Sequence, residues 1–332
     1  MRNPAFTLDM PTAASRPRTA TSEFGRDLLA GLAQAHRSVP PKYFYDAAGS
    51  ALFDRICELP EYYPTRTELQ ILAERAPEIA AQIGPNAELV EFGAGSLTKV
   101  RLLFDAFEAD AAPKRYVPID ISGEHLESAA ERLRADYPAM TVQPVVADYT
   151  MPLVLPATGA GMGQRVGFFP GSTIGNFQPE EALGFLQLAA RLLRGGGMLV
   201  GVDLVKEPAT LHAAYNDAQG VTADFNLNLL RRANRELDAD FDLEGFGHYA
   251  FYNPLLQRIE MHLMSRRAQT VHVAGERFDF AEGESIHTES SHKFTVEGFR
   301  ALAARAGFRP GPVWTDTDRL FSVHWLQAPA AQ

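Results

Sequence analysis

The chain has 332 residues, of which 46% are hydrophobic, and its formal net charge is −10, from 31 basic and 41 acidic side chains. No cluster of Lys or Arg interrupts this negative balance, which argues against nucleic acid and anionic membranes as partners. No apolar stretch reaches the roughly 18–20 residues of a membrane span, so we expect a globular protein of two domains, or of one large domain with an insertion.

Two local features bear on the compartment. Residues 1–21 contain arginines but no apolar core of a secretory signal, and their Pro, Thr and Ala content predicts a disordered leader. The sole cysteine, Cys57, has no companion for a disulfide or a metal site and is expected in the core. We expect a cytoplasmic protein, and a monomer whose partner is a small molecule.

The segment 22–66 has helical patterns and is crowded with aromatic side chains, and it does not fit the strand–helix alternation that follows it. The aromatic residues are Tyr43, Phe44, Tyr45, Phe53, Tyr62 and Tyr63.

From residue 87 to residue 205, short apolar runs alternate with helical patterns. The apolar runs are 89–92, 116–119, 142–146, 166–169 and 198–202, and the helical patterns are 99–109, 123–135 and 179–193. This alternation predicts an α/β fold, with a parallel sheet and helices on both faces. A helix at 295–306 and strands at 313–314 and 321–326 are expected to complete the same sheet with an antiparallel edge.

The run Glu-Phe-Gly-Ala-Gly-Ser at 91–96 follows the first of these strands. Its two glycines, Gly93 and Gly95, let the backbone turn sharply and approach a ligand closely. Asp120 ends the next strand, where a carboxylate can take both hydroxyls of a ribose, and Asp148-Tyr149 follows the third, where an acid and an aromatic can hold an adenine. Their recurrence at successive strand ends predicts a nucleoside pocket, although singly they would form only a turn and helix caps.

The missing third glycine favours S-adenosylmethionine over a dinucleotide. A dinucleotide site needs Gly-x-Gly-x-x-Gly to seat a pyrophosphate, whereas the third position here is Thr98, followed by Lys99. S-adenosylmethionine has no phosphate, and Glu91 would lie near its cationic end. A nicotinamide oxidoreductase is the weaker hypothesis.

The segment 204–293 opens with helical patterns through Leu237 and continues with strands around 248–252, 258–265 and 270–273. We interpret it, together with 22–66, as one split α+β domain that covers the carboxyl edge of the sheet, where open α/β folds bind ligands. The predicted division is a substrate-binding domain of 22–66 and 205–292 and a methyltransferase domain of 67–204 and 293–332.

Polar side chains after the fourth strand and before a proline-fixed turn are candidates for the substrate site. Asn176, in the loop 171–176, offers a donor and an acceptor, but it would also serve as a cap for the helix that begins near Pro179. Tyr62 and Tyr63 are either packing residues or ligand contacts.

Glu289 and Ser291 occupy alternate positions, so on a strand they would face the same side. On a strand that faces a pocket the two side chains would bind an imidazole, whereas on a surface strand they would only be solvated. His287 and His292 flank this pair but have no companion at metal spacing, so we expect no metal ligand among them.

The chain resembles the histidine-specific methyltransferase family, the bacterial histidine Nα-methyltransferases of ergothioneine biosynthesis, from about Ser22 to the C-terminus. One specific motif is Pro-Lys-Tyr-Phe-Tyr-Asp at 41–46, and further ones are 59–68, 171–176, 203–206, 214–217, 220–223, 234–237, 258–261 and 288–294. The resemblance implies a class I, Rossmann-like methyltransferase sheet with a split second domain, and S-adenosylmethionine as the cofactor.

The resemblance also implies roles for individual residues. The cofactor would be bound by Gly93, Lys99, Asp120, Asp148 and Tyr149. The substrate carboxylate would be held by Asn176 and Tyr215, and the α-amine would be surrounded by Gly171, Tyr45 and Phe53, so that Asn176, Tyr45 and Gly171 lie at the reacting group. The imidazole would contact Tyr62, Glu289 and Ser291, with Thr222 reaching it through water and Met261 lining its pocket.

Members of this family methylate L-histidine successively, through its methylated intermediates, to the trimethylammonium betaine hercynine. Relatives that act on tryptophan-like substrates carry smaller or apolar residues at the positions of Glu289 and Met261, so keeping both favours histidine. The alternatives are methylation of another amino acid or of a ring nitrogen of histidine, and a silent module that senses the cofactor or histidine. His292 would add a titratable group beside the ring pocket.

Overall fold

The computed structural model describes residues 22–95, 97–108, 110–121, 123–159 and 161–330, so the predicted leader at 1–21 lies outside the described residues. The helices are α1 (Glu23–Leu32), α2 (Ala47–Glu58), α3 (Tyr63–Ile83), α4 (Thr98–Phe104), α5 (Gly123–Asp136), α6 (Pro179–Leu192), α7 (Pro208–Tyr215), α8 (Val221–Leu237) and α9 (Val296–Arg305). Short 3₁₀ helices lie at Pro41–Phe44, Thr173–Asn176 and Leu243–Gly245.

The strands form three sheets. Those of the main sheet are β1 (Glu88–Phe92), β2 (Arg115–Asp120), β3 (Thr141–Val142), β4 (Val145–Val146), β5 (Arg165–Phe169), β6 (Gly197–Asp203), β12 (Arg309–Thr315) and β13 (Phe321–Gln327). The others are β7 (Phe246–Asn253), β8 (Arg258–Ser265), β9 (Gln269–Val273), β10 (Glu276–Phe280) and β11 (Ser285–His292).

The main sheet has the strand order β12-β13-β6-β5-β1-β2-β3, and β4 also pairs with β2. Strands β1 to β6 pair in parallel, while β13 runs antiparallel to β6 and β12 antiparallel to β13. Separate hydrophobic clusters cover the two faces, as the buried, apolar strands require. The predicted α/β sheet, parallel with an antiparallel ending, is confirmed.

The third predicted strand, 142–146, is in fact two short strands, β3 and β4, that both pair with β2. Pro144 lies between them and has no N–H to donate to the ladder, so the pairing is interrupted there. The strand β10, which forms a hairpin with β9, was not predicted.

The segments outside the main sheet pack around their own hydrophobic cluster. It gathers apolar residues of α1, α2, α7, α8 and of the three-stranded antiparallel sheet β11-β8-β7. The chain passes between this unit and the main sheet just after β6 and just after β11, where Leu204 and Phe294 form a β-bridge. The helix α3 runs through the predicted boundary at 66/67. Because this unit and the main sheet have separate hydrophobic clusters, we propose that they are two domains, as the sequence predicts.

None of the helices in the described part of the chain combines the length and the apolar composition needed to cross a membrane.

Candidate active site

A cavity of about 60 Å³ lies where the unit built on β11 meets the carboxyl edge of the main sheet. Its lining residues are Tyr45, Phe53, Tyr62, Pro64, Gly171, Ser172, Thr173, Asn176, Asp203, Tyr215, Glu289, Ser291 and Lys293. Most of the predicted substrate residues are therefore brought together, although they come from distant parts of the sequence.

Two of the predicted substrate residues do not line this cavity. Thr222 is buried in the first turn of α8, where its backbone N–H donates to Asp217 Oδ1 at 2.8 Å. Met261 is 1% exposed and lies opposite Glu289 in the β8–β11 register. It projects from the same side of the sheet as Glu289, and its predicted place beside the substrate ring stays a prediction.

A β-bulge directs Glu289 and Ser291 into the cavity. Ile286 faces the core opposite Leu263, and strict alternation from there would turn residues 289 and 291 outward. The register shifts between His287 and Glu289, so one extra residue reverses the alternation. Because of the bulge, Glu289 is buried, with 7% of its surface exposed. The sequence alone does not mark the position of the bulge.

The carboxyl group of Glu289 is poised between its two protonation states. Burial raises its pKa to about 7, although the nearby ammonium of Lys293 lowers it. At neutral pH the group is therefore able both to accept a hydrogen bond and to take up a proton.

Lys293 is the buried cation of the cavity. Its Nζ donates to Ser291 Oγ at 2.8 Å, to Tyr215 OH at 3.1 Å, and pairs with Asp203 Oδ2 at 2.8 Å. Tyr215 OH in turn donates to Ser291 Oγ at 2.8 Å. Burial alone would lower the pKa of Lys293, but Asp203 and Tyr215 raise it, so the side chain stays charged.

Asp203 anchors this network at the end of β6. Its carboxylate also accepts hydrogen bonds from Tyr63 OH at 2.8 Å and from Lys206 Nζ at 2.6 Å. Burial opposes its ionisation, but Lys293 and Lys206 lower its pKa overall. Of the two adjacent tyrosines, Tyr62 thus faces the cavity and Tyr63 supports it from beneath.

Aromatic rings form one wall of the cavity in a chain of edge-to-face contacts. The ring centroids of Tyr45 and Phe53 are 5.7 Å apart, those of Phe53 and Tyr62 6.4 Å, and those of Tyr62 and Tyr215 6.4 Å. Burial raises the pKa of Tyr45 and Tyr62 well above the ordinary value, so both phenols are neutral. Such a wall suits a substituted ammonium group.

The loop after β5 carries Asn176 and has an unusual backbone. Gly171 has φ 78° and Ser172 has φ 57°, a left-handed conformation that a non-glycine residue adopts at a cost. Ser172 Oγ accepts the backbone N–H of Asp203 at 2.9 Å, which helps to hold it there. Asn176 does not cap α6, because Gln178 is the N-cap and forms a capping box with Glu181. Its amide is therefore left to the cavity.

The predicted cofactor residues meet at the carboxyl ends of β1, β2 and β4. Gly93 has φ 71°, and a Cβ there would lie 3.4 Å from the ring of Tyr149. The backbone N–H of Gly95 donates to Asp120 Oδ2 at 3.2 Å. Asp148 Oδ1 accepts the backbone N–H of Thr150 at 2.9 Å, and Asp148 Oδ2 lies 3.7 Å from Lys42 Nζ.

Lys99 connects this edge to the cavity through a buried acid. Its Nζ lies 2.5 Å from Glu68 Oε2, and the same carboxylate accepts the backbone N–H of Gly171 at 2.9 Å. Glu68 is 0% exposed and comes from α3. Glu68 is not among the predicted site residues, yet it links Lys99 of the predicted cofactor site to Gly171 of the cavity.

Glu91 does not present a free carboxylate to a ligand. It is 2% exposed and accepts a hydrogen bond from the buried phenol of Tyr116. Burial raises its pKa to about 8, against the effect of Tyr116. Burial therefore disfavours the carboxylate form of Glu91, and its expected place beside a cationic ligand stays a prediction.

The sequence reasoning also missed Lys293 and Asp203 as members of the site, although both stand within motifs that carry the family resemblance. The available signal was the presence of charged residues at the ends of predicted strands. His292, by contrast, points away: its Nδ1 lies 3.0 Å from Gly175 O, and it is not a lining residue.

The chain is similar to a known family and to several known proteins. The sequence model of the family described as "Histidine-specific methyltransferase, SAM-dependent" matches residues 24–328. A Mycolicibacterium smegmatis protein named histidine N-alpha-methyltransferase is 46% identical over 90% of this chain and 92% of its own length. A Mycobacterium tuberculosis protein of the same name is 42% identical over 88% of this chain and 90% of its length. Ergothioneine biosynthesis protein 1 of Neurospora crassa is 31% identical over 84% of this chain, which covers 32% of that protein.

Proposed function

The chain belongs to the family of SAM-dependent, histidine-specific methyltransferases, and we propose that it methylates the α-amine of L-histidine three times to give hercynine. The observation that carries this proposal is the cavity in which Glu289 and Ser291 face Tyr62 beside an aromatic wall. The names of its relatives support a place in ergothioneine biosynthesis.

The residues at the carboxyl edge fit S-adenosylmethionine. A Cβ on Gly93 would lie 3.4 Å from the ring of Tyr149. Any side chain at this position would fill the space beside the ring, so glycine keeps that space open for a ligand. Asp120 and Asp148 would hold the ribose and the adenine, and Lys99 would lie at the same edge. When bound, this cofactor supplies a methyl group on a cationic sulfur.

The substrate carboxylate would be held by Asn176 and Tyr215. The amide of Asn176 is a hydrogen-bond donor, and Lys293 adds a positive charge directly behind Tyr215. The phenol of Tyr215 would turn the hydrogen that it gives to Ser291 towards the carboxylate. Asp203 alone would repel an α-carboxylate from this end of the cavity, but the positive charge of Lys293 offsets the negative charge of Asp203.

The imidazole would lie against Tyr62, with Glu289 and Ser291 as its polar partners and Thr222 reaching it through water. A ring N–H needs an acceptor, which the Glu289 carboxylate provides, while the Ser291 hydroxyl, which already accepts from Lys293 and Tyr215, has its own hydrogen left to donate. A substrate without matching groups would leave Glu289 buried and unpaired, which disfavours it strongly. Met261 supports this arrangement by packing beside Glu289.

The protein's contribution to the chemistry is to position the amine and to exclude water. The amine attacks only when it is neutral, so it must bind in that form or lose its proton before its lone pair is directed at the methyl group. Tyr45, Phe53 and the backbone of Gly171 would surround it. The aromatic rings also favour the more substituted ammonium that each methylation produces, because a quaternary ammonium binds aromatic faces well.

We further propose that the enzyme acts as a monomer in the cytoplasm. Its single cysteine and its lack of basic clusters agree with a reducing compartment and a small-molecule partner.

The test is a substrate panel. The purified protein and S-adenosylmethionine are offered L-histidine, its two ring-methylated forms or L-tryptophan, and the demethylated cofactor is measured. We expect histidine to be preferred over tryptophan by at least about 100-fold in kcat/KM. Equal turnover of tryptophan would contradict the proposal, tight histidine binding without turnover would indicate a sensor, and failure to bind S-adenosylmethionine in calorimetry would revive an oxidoreductase.

A further inference from the structure

Two histidines and a glutamate meet on the face of the sheet β11-β8-β7 that is turned away from the cavity. Glu260, His262 and His287 each offer one ligand atom, and these atoms lie within 4.8 Å of one another. The expectation that His287 has no companion at metal spacing is therefore wrong. The companions come from a neighbouring strand, which sequence spacing does not reveal.

The strand geometry explains why these side chains converge. His262 and His287 are direct partners in the antiparallel register of β8 and β11. Glu260 stands two residues before His262 on β8 and so faces the same side. The two imidazole centroids are 5.1 Å apart. Glu289 lies beyond the bulge on the opposite face, so this cluster is separate from the cavity.

Neighbouring groups already orient the ligands. Glu260 Oε1 accepts from Arg258 Nε and Asn253 Nδ2, each at 3.0 Å. Its other oxygen, Oε2, lies 3.3 Å from His262 Nε2, which matches the roughly 3.3 Å between adjacent ligands of a tetrahedral zinc site. On the far side of the same ring, His262 Nδ1 lies 3.1 Å from Ser285 Oγ. Such outer partners fix the tautomer and the ring direction.

The charges and the donor atoms around the cluster limit the kind of ion. Arg258 is a cation beside the cluster, but its guanidinium already donates hydrogen bonds to Glu260 and, at 3.1 Å, to Gln178 Oε1. Two imidazoles and one carboxylate form a donor set that suits zinc-like ions and not magnesium or calcium, which prefer oxygen.

We propose that Glu260, His262 and His287 form a binding site for Zn²⁺ or a similar borderline divalent cation. The ion would bridge β8 and β11 and leave one position for water. Because it lies on the face opposite Glu289 and Ser291, it would stabilise the strand pair without taking part in methyl transfer.

The test uses the full chain without a polyhistidine tag, freed of metal by dialysis against a chelator. ZnCl₂ is titrated by calorimetry, and Co²⁺ by visible absorption. We expect one ion per chain and a four-coordinate Co²⁺ spectrum. His287→Gln and His262→Gln should each weaken binding by at least about 10-fold. The matched control is His272→Gln, an exposed strand histidine that also pairs with a carboxylate, Asp240, but lies outside the cluster.

A second measurement covers the possibility that a variant folds poorly. Zn²⁺ should raise the Tm of the wild type and of His272→Gln, and should leave the Tm of His287→Gln unchanged. The absence of saturable Zn²⁺ binding in the wild type would overturn the proposal. So would wild-type affinity in a folded His287→Gln protein, or an equal response to MgCl₂.

Discussion

The ammonium of Lys293 lies 2.8 Å from Asp203 Oδ2, and each of these side chains is only 1% exposed. This ion pair joins the end of β6 to the residue that follows β11. The same ammonium donates to Tyr215 and Ser291, so the polar end of the cavity is built on a buried charge pair. A buried pair of this kind is costly to disrupt and orients the groups bonded to it.

Lys293→Met should raise the KM for histidine by at least about 10-fold, because Tyr215 and Ser291 lose their charged partner. The affinity for S-adenosylmethionine should not change. The matched control is Lys206→Met, since Lys206 also pairs with Asp203 but bonds neither Tyr215 nor Ser291. Steady-state kinetics of both folded variants check this prediction. Equal effects in the two would mean that Lys293 acts only by stabilising Asp203.

Glu289→Ala should weaken the use of histidine by roughly 10- to 150-fold, corresponding to about 1.5–3 kcal/mol for the loss of a charged hydrogen-bond partner. Cofactor binding, measured by calorimetry, should stay within error of the wild type. Glu282→Ala, which changes an exposed glutamate in the turn before β11, serves as the control. Unchanged histidine kinetics in Glu289→Ala would show that the imidazole assignment is wrong.

The pH profile should report the ionisation of Glu289. Its pKa is raised to about 7, so the carboxylate is present above that pH and is protonated below it. The kcat/KM of the wild type should therefore decrease as the pH falls through 7. The α-amine of the substrate titrates in the same assay, but it does so equally in Glu289→Gln. The ratio of wild-type to Glu289→Gln kcat/KM thus isolates Glu289, and a ratio independent of pH would contradict its role.

Gly171→Ala should destabilise the protein by about 1–2 kcal/mol, because the residue has φ 78° and an added Cβ would lie 3.2 Å from Lys99 Nζ. Gly184→Ala is the matched comparison: Gly184 lies inside α6, with no atom within 4 Å of an added Cβ. It should stabilise the protein by about 0.5–1 kcal/mol. Denaturant unfolding measures both, and the prediction fails if the two changes have the same sign.

The strands and helices of the main sheet were predictable because their apolar runs alternate with helical periods. The C-terminal strands at 313–314 and 321–326 also lie where they were expected, within β12 and β13. The split of the third strand could have been read from Pro144, but the short hairpin strand β10 has a mixed, largely exposed pattern that gives a weak signal.

The site was less predictable, because its geometry depends on pairings between distant segments. The bulge that turns Glu289 inward depends on the register with β8, and the role of Lys293 depends on Asp203, a residue far away in the chain. Family motifs nevertheless pointed to most of the residues that line the cavity. Met261 also belongs to a motif, and it is buried opposite Glu289 in the register of β8 and β11.

The most direct test of the central claim is the mass and fragmentation pattern of the product formed from L-histidine and excess S-adenosylmethionine. We predict a product with three added methyl groups, all on the α-nitrogen, and an unmodified imidazole. A methyl group on the ring, or a reaction that stops without the trimethylated product, would contradict the assignment of this cavity to histidine Nα-methylation.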